Sequence, residues 1–156
     1  MSIPLTIHTL ARAIIISNNY ILLCKTMGLI PDVYFTPGGH IEPTENAKQA
    51  VCRELLEETG FNFIINRFLG CIEYAFDLSV KHPSMICHSR EYSFFFEATS
   101  EVVNSQINIP KIENHIELVW VNLKEIPFIN LRPISLKNLL DIWLKENFEN
   151  AFITNE

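Results

Sequence analysis

Hydrophobic residues along the chain recur at two spacings, and the switches between them mark the elements. Residues 6–17 are rich in β-branched side chains, and Ala13-Ile14-Ile15-Ile16 predicts a buried strand. Ser17-Asn18-Asn19 is a turn signal, and residues 20–25 return as a second strand, giving a hairpin. Residues 27–32 read as a loop. Residues 33–36 form a short strand that runs into Pro37-Gly38-Gly39, where the backbone must turn sharply. The period then changes. Ala47, Ala50, Val51 and Leu55 recur at helical spacing, Asn46 is a good N-cap and Gly60 a natural C-terminal stop, so a helix is predicted over residues 47–59.

Beyond the helix, residues 61–76 are strand-like and predict two strands with a break near Asn66-Arg67. His82-Pro83-Ser84 is a turn, and residues 90–99, with Tyr92-Ser93-Phe94-Phe95-Phe96, predict a central strand. A polar loop over 101–114 leads to a strand at 116–121 and a short helical turn before Pro127. Pro133 opens a final helix with the apolar stripe Leu136, Leu139, Leu140, Trp143, Leu144 and Phe148. This order predicts an α/β (α+β) chain, a mixed sheet held between helices, in a single domain over residues 1–156.

Composition narrows the class. The chain is 48% hydrophobic and 11% aromatic, which suits a globular fold with a real core. Its net charge of −6, with no Lys/Arg cluster, argues against a stable nucleic-acid partner. No run approaches the ~18 apolar residues of a membrane span, and the N-terminus lacks the layout of a secretion signal, so no membrane association and a cytoplasmic location are expected. Cys24, Cys52, Cys71 and Cys87 form no C-x-x-C pair and are expected to be buried, reduced thiols. The apolar final helix reads first as core, with a homodimer contact as the lesser alternative.

The predicted helix at 47–59 ends on Glu54, Glu57 and Glu58, spaced i, i+3, i+4. On a helix all three carboxylates share one face. That is an unfavourable end for them. The helix C-terminus carries partial negative charge, at a cost of roughly 0.3–1 kcal/mol per carboxylate, and the i,i+4 pair repels by about 0.2–0.5 kcal/mol. Two local rules broken at one place point to function, and a divalent cation is the partner three clustered carboxylates suit.

The surrounding spacing is specific. Gly39, Glu45, Arg53-Glu54-Leu55, Glu57-Glu58 and Gly60 stand in a register that resembles the signature of the Nudix (MutT-like) hydrolases at every fixed position. The box covers residues 39–61, and the order of elements looks loosely like the Nudix αβα sandwich over 6–148. The resemblance implies a Mg²⁺-dependent pyrophosphohydrolase, with Mn²⁺ as a substitute. Such an enzyme cleaves a nucleoside diphosphate linked to a group X into a nucleoside monophosphate and phosphoryl-X, and a nucleoside triphosphate or similar small nucleotide is favoured for a chain so close to a bare domain. It also implies Glu54 and Glu58 as main metal ligands, Glu57 as a further ligand or the base, and the Gly39 carbonyl as another ligand. Arg53 is expected to orient Glu45 or Glu54. Outside the box, Glu113 is the favoured extra carboxylate, ahead of Glu117 and Glu101. Arg12, Arg90 and Arg132 are candidate phosphate contacts, and Phe35, Tyr34 or Tyr74 candidate base-stacking groups, with at most one of Tyr34 and Phe35 lining a cleft because they alternate along a strand. The alternative is a non-catalytic Nudix-like module that binds a nucleotide or a protein. Degenerate members usually lose box glutamates, and this chain keeps all of them.

Overall fold

The computed structural model describes residues 6–75, 89–145 and 151–154. The hairpin forms where the asparagines demand it. Strand β1 (Ile7–Ile14) continues into β2 (Ile16–Ser17), and Asn18 and Asn19 turn the chain with φ of 49° and 65° into β3 (Tyr20–Thr26). Positive φ at both central residues is the tight-turn geometry that asparagine tolerates well. Strands β4 (Tyr34–Phe35) and β5 (Gly38–His40) flank the Pro-Gly-Gly turn. Helix α1 (Ala47–Thr59) starts on a complete capping box, in which Asn46 and Gln49 exchange side-chain-to-backbone bonds. It ends on Gly60 at φ 77°, whose N–H donates to the Leu56 carbonyl.

One long strand, β6 (Ile64–Ala75), replaces the two expected over residues 61–76. The polar pair Asn66-Arg67 is a bulge. Pairing with β7 (Arg90–Thr99) shifts between Ile65 and Phe68 and again between Phe68 and Gly70. Arg67 is anchored there, Nε to Glu97 Oε2 at 2.7 Å and Nη2 to the Trp143 carbonyl at 2.9 Å, so the strand is stitched to its neighbour instead of broken. Strand β8 (Ile116–Asn122) follows the polar loop, a 3₁₀ turn spans Leu123–Phe128, and the short strand β9 (Leu131–Arg132) precedes helix α2 (Leu136–Leu144). The expected turn at 82–84, Cys87 and Phe148 lie outside the described residues. A final strand, β10 (Phe152–Thr154), was not expected.

The strands divide into two mixed sheets. One has the order β10-β6-β7-β1-β5, with β1–β7 and β10–β6 parallel. The other runs β2-β3-β4-β9, with β8 paired antiparallel to β3. Helices cover opposite faces, and strand alternation sorts the side chains between them. Ala11, Ala13, Leu22 and Phe96 pack with Ala50, Val51 and Leu55 of α1. Ile14, Ile21, Leu23 and Phe95 pack with Leu136, Leu139, Leu140 and Trp143 of α2. The fold class is as expected, with its strands in two sheets instead of one. Cys24 and Cys71 are buried free thiols, but Cys52 is exposed, because it lies on the outer face of α1. Among the described residues, no helix is long and apolar enough to cross a membrane.

Leu55 is fully buried between α1 and the strands. Leu55→Ala is expected to lower the unfolding free energy by about 2–5 kcal/mol in urea titration. A loss below about 1 kcal/mol would mean that α1 is not seated as described.

Candidate active site

The site is built where the end of α1 meets the Pro37-Gly38-Gly39 turn. Gly38 has φ 124°, and a Cβ there would overlap the Ala11 carbonyl oxygen, so the turn lies directly on β1. Gly39 has ordinary φ but no room. A Cβ on it would overlap the Glu54 carboxylate. Glycine at 39 therefore does more than turn the chain: it lets the backbone press against a glutamate of the acidic trio.

The three glutamates differ in environment. Glu58 is buried, 7% exposed, and its Oε2 accepts the Gly38 N–H at 3.0 Å. Burial pushes its carboxyl up to about 8, opposed by the Gly38 amide and the Arg12 guanidinium and reinforced by the charges of Glu54 and Glu113. Glu54 is largely covered, and Glu57 is mostly exposed. Arg53 ties this group together. Its Nε and Nη2 reach Glu45 at 3.1 and 2.6 Å, its Nη1 reaches Glu54 at 3.0 Å and Glu57 at 3.3 Å, and Nη2 also donates to the His40 carbonyl at 3.0 Å. The Arg53 bonds, with the Glu42 N–H, hold the Glu45 carboxyl below its ordinary range. Arg53 thus pairs with Glu45 and Glu54, and with Glu57 as well, one guanidinium fork bonded to three carboxylates.

Outside the box, the structure sorts the candidates. Glu113 is near enough for its charge to raise the Glu58 pKa, and its Oε2 meets His115 Nε2 at 3.2 Å. Glu117 instead pairs across strands with Lys25, and Glu101 is exposed. Arg12 joins the site. Its Nη1 donates to the Thr36 and Gly38 carbonyls at 3.1 and 2.8 Å, and its guanidinium lies 5.6 Å from the Phe35 ring centre. Tyr34 faces the other way, into the α2 core, so Phe35 is the member of that pair beside the turn. Arg132 pairs with Phe35 in the sheet register.

Tyr74 lies two residues beyond Ile72 and so shares the α2-side face of the sheet with Arg12, although β7 separates their strands. Arg90 is not brought to this group. It is ion-paired with Glu73, which also accepts from Tyr92 Oη at 2.8 Å, and it lies level with Ile7 in the β1–β7 register, away from Arg12. The sequence reading missed the Gly38 amide and the buried Thr36 carbonyl. The sharp Pro-Gly-Gly turn was the one signal that could have located them.

Among the described residues, no three His, Cys, Asp or Glu side chains are gathered into a ready ligand set. Glu54 and Glu57 are instead held on Arg53. The chemistry of the donors still fits a hard divalent cation. A buried carboxylate whose ionised form is opposed by neighbouring carboxylates is stabilised by positive charge, and Glu54, Glu58 and Glu113 offer carboxylate oxygens of the kind a hard cation takes, with the Cys24 thiol and the His115 ring also nearby.

The NUDIX domain family matches residues 7–141 of the chain. The chain belongs to the NUDIX family. A zebrafish (Danio rerio) relative named m7GpppN-mRNA hydrolase NUDT17 is 41% identical over 64 residues, covering 36% of this chain and 21% of that protein. An 8-oxo-dGTP diphosphatase from Buchnera aphidicola subsp. Schizaphis graminum is 36% identical over 63 residues, 39% of this chain and 48% of that protein. The matched segments thus span less than half the length of either relative. The crystal structure of the MutT protein from Methanosarcina mazei Go1 shares the NUDIX fold at a TM-score of 0.68 and 21% identity, covering 93% of this chain and 98% of that one.

The buried Glu58 gives a pH signature. In the unfolded chain it ionises near the ordinary value of 4.5, and in the folded protein at about 8. Between those limits the native state holds a proton that the unfolded chain has released, so stability falls as pH rises through the window. The Tm of the cation-free protein should drop between about pH 5 and pH 8, and Glu58→Gln should flatten that fall. The same pH dependence in both proteins would remove Glu58 as its cause.

Proposed function

We propose that this NUDIX chain is a single-domain, divalent-cation-dependent pyrophosphohydrolase acting on a small nucleotide, with a nucleoside triphosphate as the favoured substrate. Water adds to one phosphorus of a nucleoside diphosphate linked to X, the bridging P–O bond breaks, and a nucleoside monophosphate and phosphoryl-X leave. The observation that carries this reading is the approach of Glu54 and Glu58 to one glycine turn, with Glu58 buried and opposed by the charges of Glu54 and Glu113, and with Glu57 tied to Glu54 through Arg53.

In this reading Glu54, Glu58 and Glu57, with the Gly39 carbonyl and Glu113, would hold Mg²⁺ or Mn²⁺. When bound, the cation neutralises diphosphate charge and lowers the pKa of the attacking water. The remaining chemistry belongs to the chain. Arg53 limits the rotamers of Glu54 and Glu57, which spares part of the cost of ordering them at reaction. Glu57 is the more exposed carboxylate and suits a base that takes a proton from water entering from solvent. Glu58, held by the Gly38 amide, is fixed and suits a ligand better than a proton shuttle. Phe35 and Tyr74 offer aromatic surface for a base. The names of the two relatives, one a diphosphatase of an oxidised deoxynucleotide and one a cap hydrolase, support a diphosphate within a nucleotide as the bond at issue.

A screen of nucleoside triphosphates, nucleotide sugars, ADP-ribose and dinucleoside polyphosphates with Mg²⁺ or Mn²⁺ tests the reading. Cleavage to a nucleoside monophosphate, abolished by EDTA, is expected. Glu57→Gln and Glu54→Gln should each lower kcat by about 10²–10⁴-fold while leaving the unfolding transition near that of the wild type. An inert panel would sink the enzymatic reading. Nucleotide affinity that survives EDTA and both substitutions would instead favour a non-catalytic binding module.

A further inference from the structure

We propose that Arg12 is a positioning residue, a clamp that holds the 36–39 turn against the carboxylate helix. Strand β1 takes three successive carbonyls of that turn. Arg12 Nη1 donates to Thr36 O and Gly38 O, and the Ala13 N–H donates to Pro37 O at 2.9 Å. With those carbonyls fixed on β1, the next groups point the other way. The Gly38 N–H reaches Glu58 Oε2 at 3.0 Å, and Gly39 lies against the Glu54 carboxylate.

The choice of residue follows from the geometry. Thr36 is 1% exposed, so its carbonyl has little access to water, and without Arg12 it would be left unsatisfied. One nitrogen of a planar guanidinium serves two carbonyls while the plane rests near the Phe35 ring, 5.6 Å from its centre. Arg12 also places a positive charge beside the buried Glu58 without bonding to it in place of the amide. The Nη1 donor is committed to the backbone, which anchors the guanidinium to the turn whatever Nε and Nη2 meet.

The test has an arm that does not need the metal and an arm that rests on the proposed function. In EDTA-treated protein, amide exchange by NMR at Gly38 should quicken about tenfold in Arg12→Met, while amides of Val51 and Leu55 inside α1 keep their wild-type rates. Arg12→Lys, which can still donate to carbonyls, should restore part of the Gly38 protection. With Mn²⁺ added, affinity for the ion should fall several-fold and kcat about tenfold, with KM changed by less than about threefold. Unchanged exchange at Gly38 would overturn the clamp. So would equal quickening throughout α1, which would mean general loosening, or a raised KM at wild-type kcat, which would mean a phosphate contact. If Arg12→Met does not fold, Phe35→Leu supplies the same Gly38 readout with an expected two- to threefold change. If the wild type binds no Mn²⁺, the metal reading falls while Gly38 exchange still decides the clamp.

Discussion

The burial of Glu58 sets the terms for everything around it. A carboxylate taken out of water is expensive unless it is paired or hydrogen-bonded. Here the fold supplies one backbone donor, Gly38 N–H, and a guanidinium nearby, and then adds the opposing charges of Glu54 and Glu113. Those like charges leave the ionised form uncompensated. An arrangement that keeps an unfavourable carboxylate in place, and crowds it with others, has an electrostatic demand that a divalent cation meets. The two glycines of the turn follow from the same demand. Gly38 lets the turn lie on β1 so that its amide reaches Glu58, and Gly39 leaves the space that Glu54 fills.

Arg53 and Arg12 divide the work of holding this charge. Arg53 acts mainly on side chains, with fork bonds to Glu45, Glu54 and Glu57, and its Nη2 also donates to the His40 carbonyl, which ties α1 to β5. Arg12 acts on the backbone from the neighbouring strand. Lysine would serve poorly in the first role, since a single ammonium cannot present a planar set of donors to three acceptors at once. The acidic side chains Glu45, Glu54, Glu57 and Glu58 outnumber these two cations, so the group keeps a net negative charge when they are ionised.

Local signals in the sequence were legible to the residue, and long-range ones were not. Asn46 and Gly60 bounded α1 as the structure has it, because capping is decided by atoms within a few positions. The tandem Asn18-Asn19 marked its turn for the same reason. Asn66-Arg67 was misread as a break because nothing local reveals that Arg67 finds Glu97 and the end of α2. The short strands β9 and β10 have little pattern of their own and exist through their partners β4 and β6. The box glutamates could be read from spacing along one helix. Arg12 could be nominated as a cation near the site, but its true contacts lie 24 and 26 residues away. Arg90 looked equivalent in sequence, yet it lies level with Ile7 in the β1–β7 register, away from Arg12, and is ion-paired with Glu73.

Helix α1 shows how a small domain keeps chemistry and stability apart. Successive residues on a helix are turned by about 100°. Glu54 therefore faces the turn while Leu55 faces the core, and the apolar set Ala50, Val51 and Leu55 can fasten the helix without reference to the charges beside it. The acidic stripe would unseat an isolated helix end, but the packing of the opposite stripe and the complete cap at Asn46 offset that cost. Glu58 is the exception, since it lies where the two stripes meet and is both buried and ionisable, with burial favouring its neutral form. It is thus the one residue of the trio whose protonation and the stability of the fold are coupled, and it is held by backbone instead of by a mobile side chain.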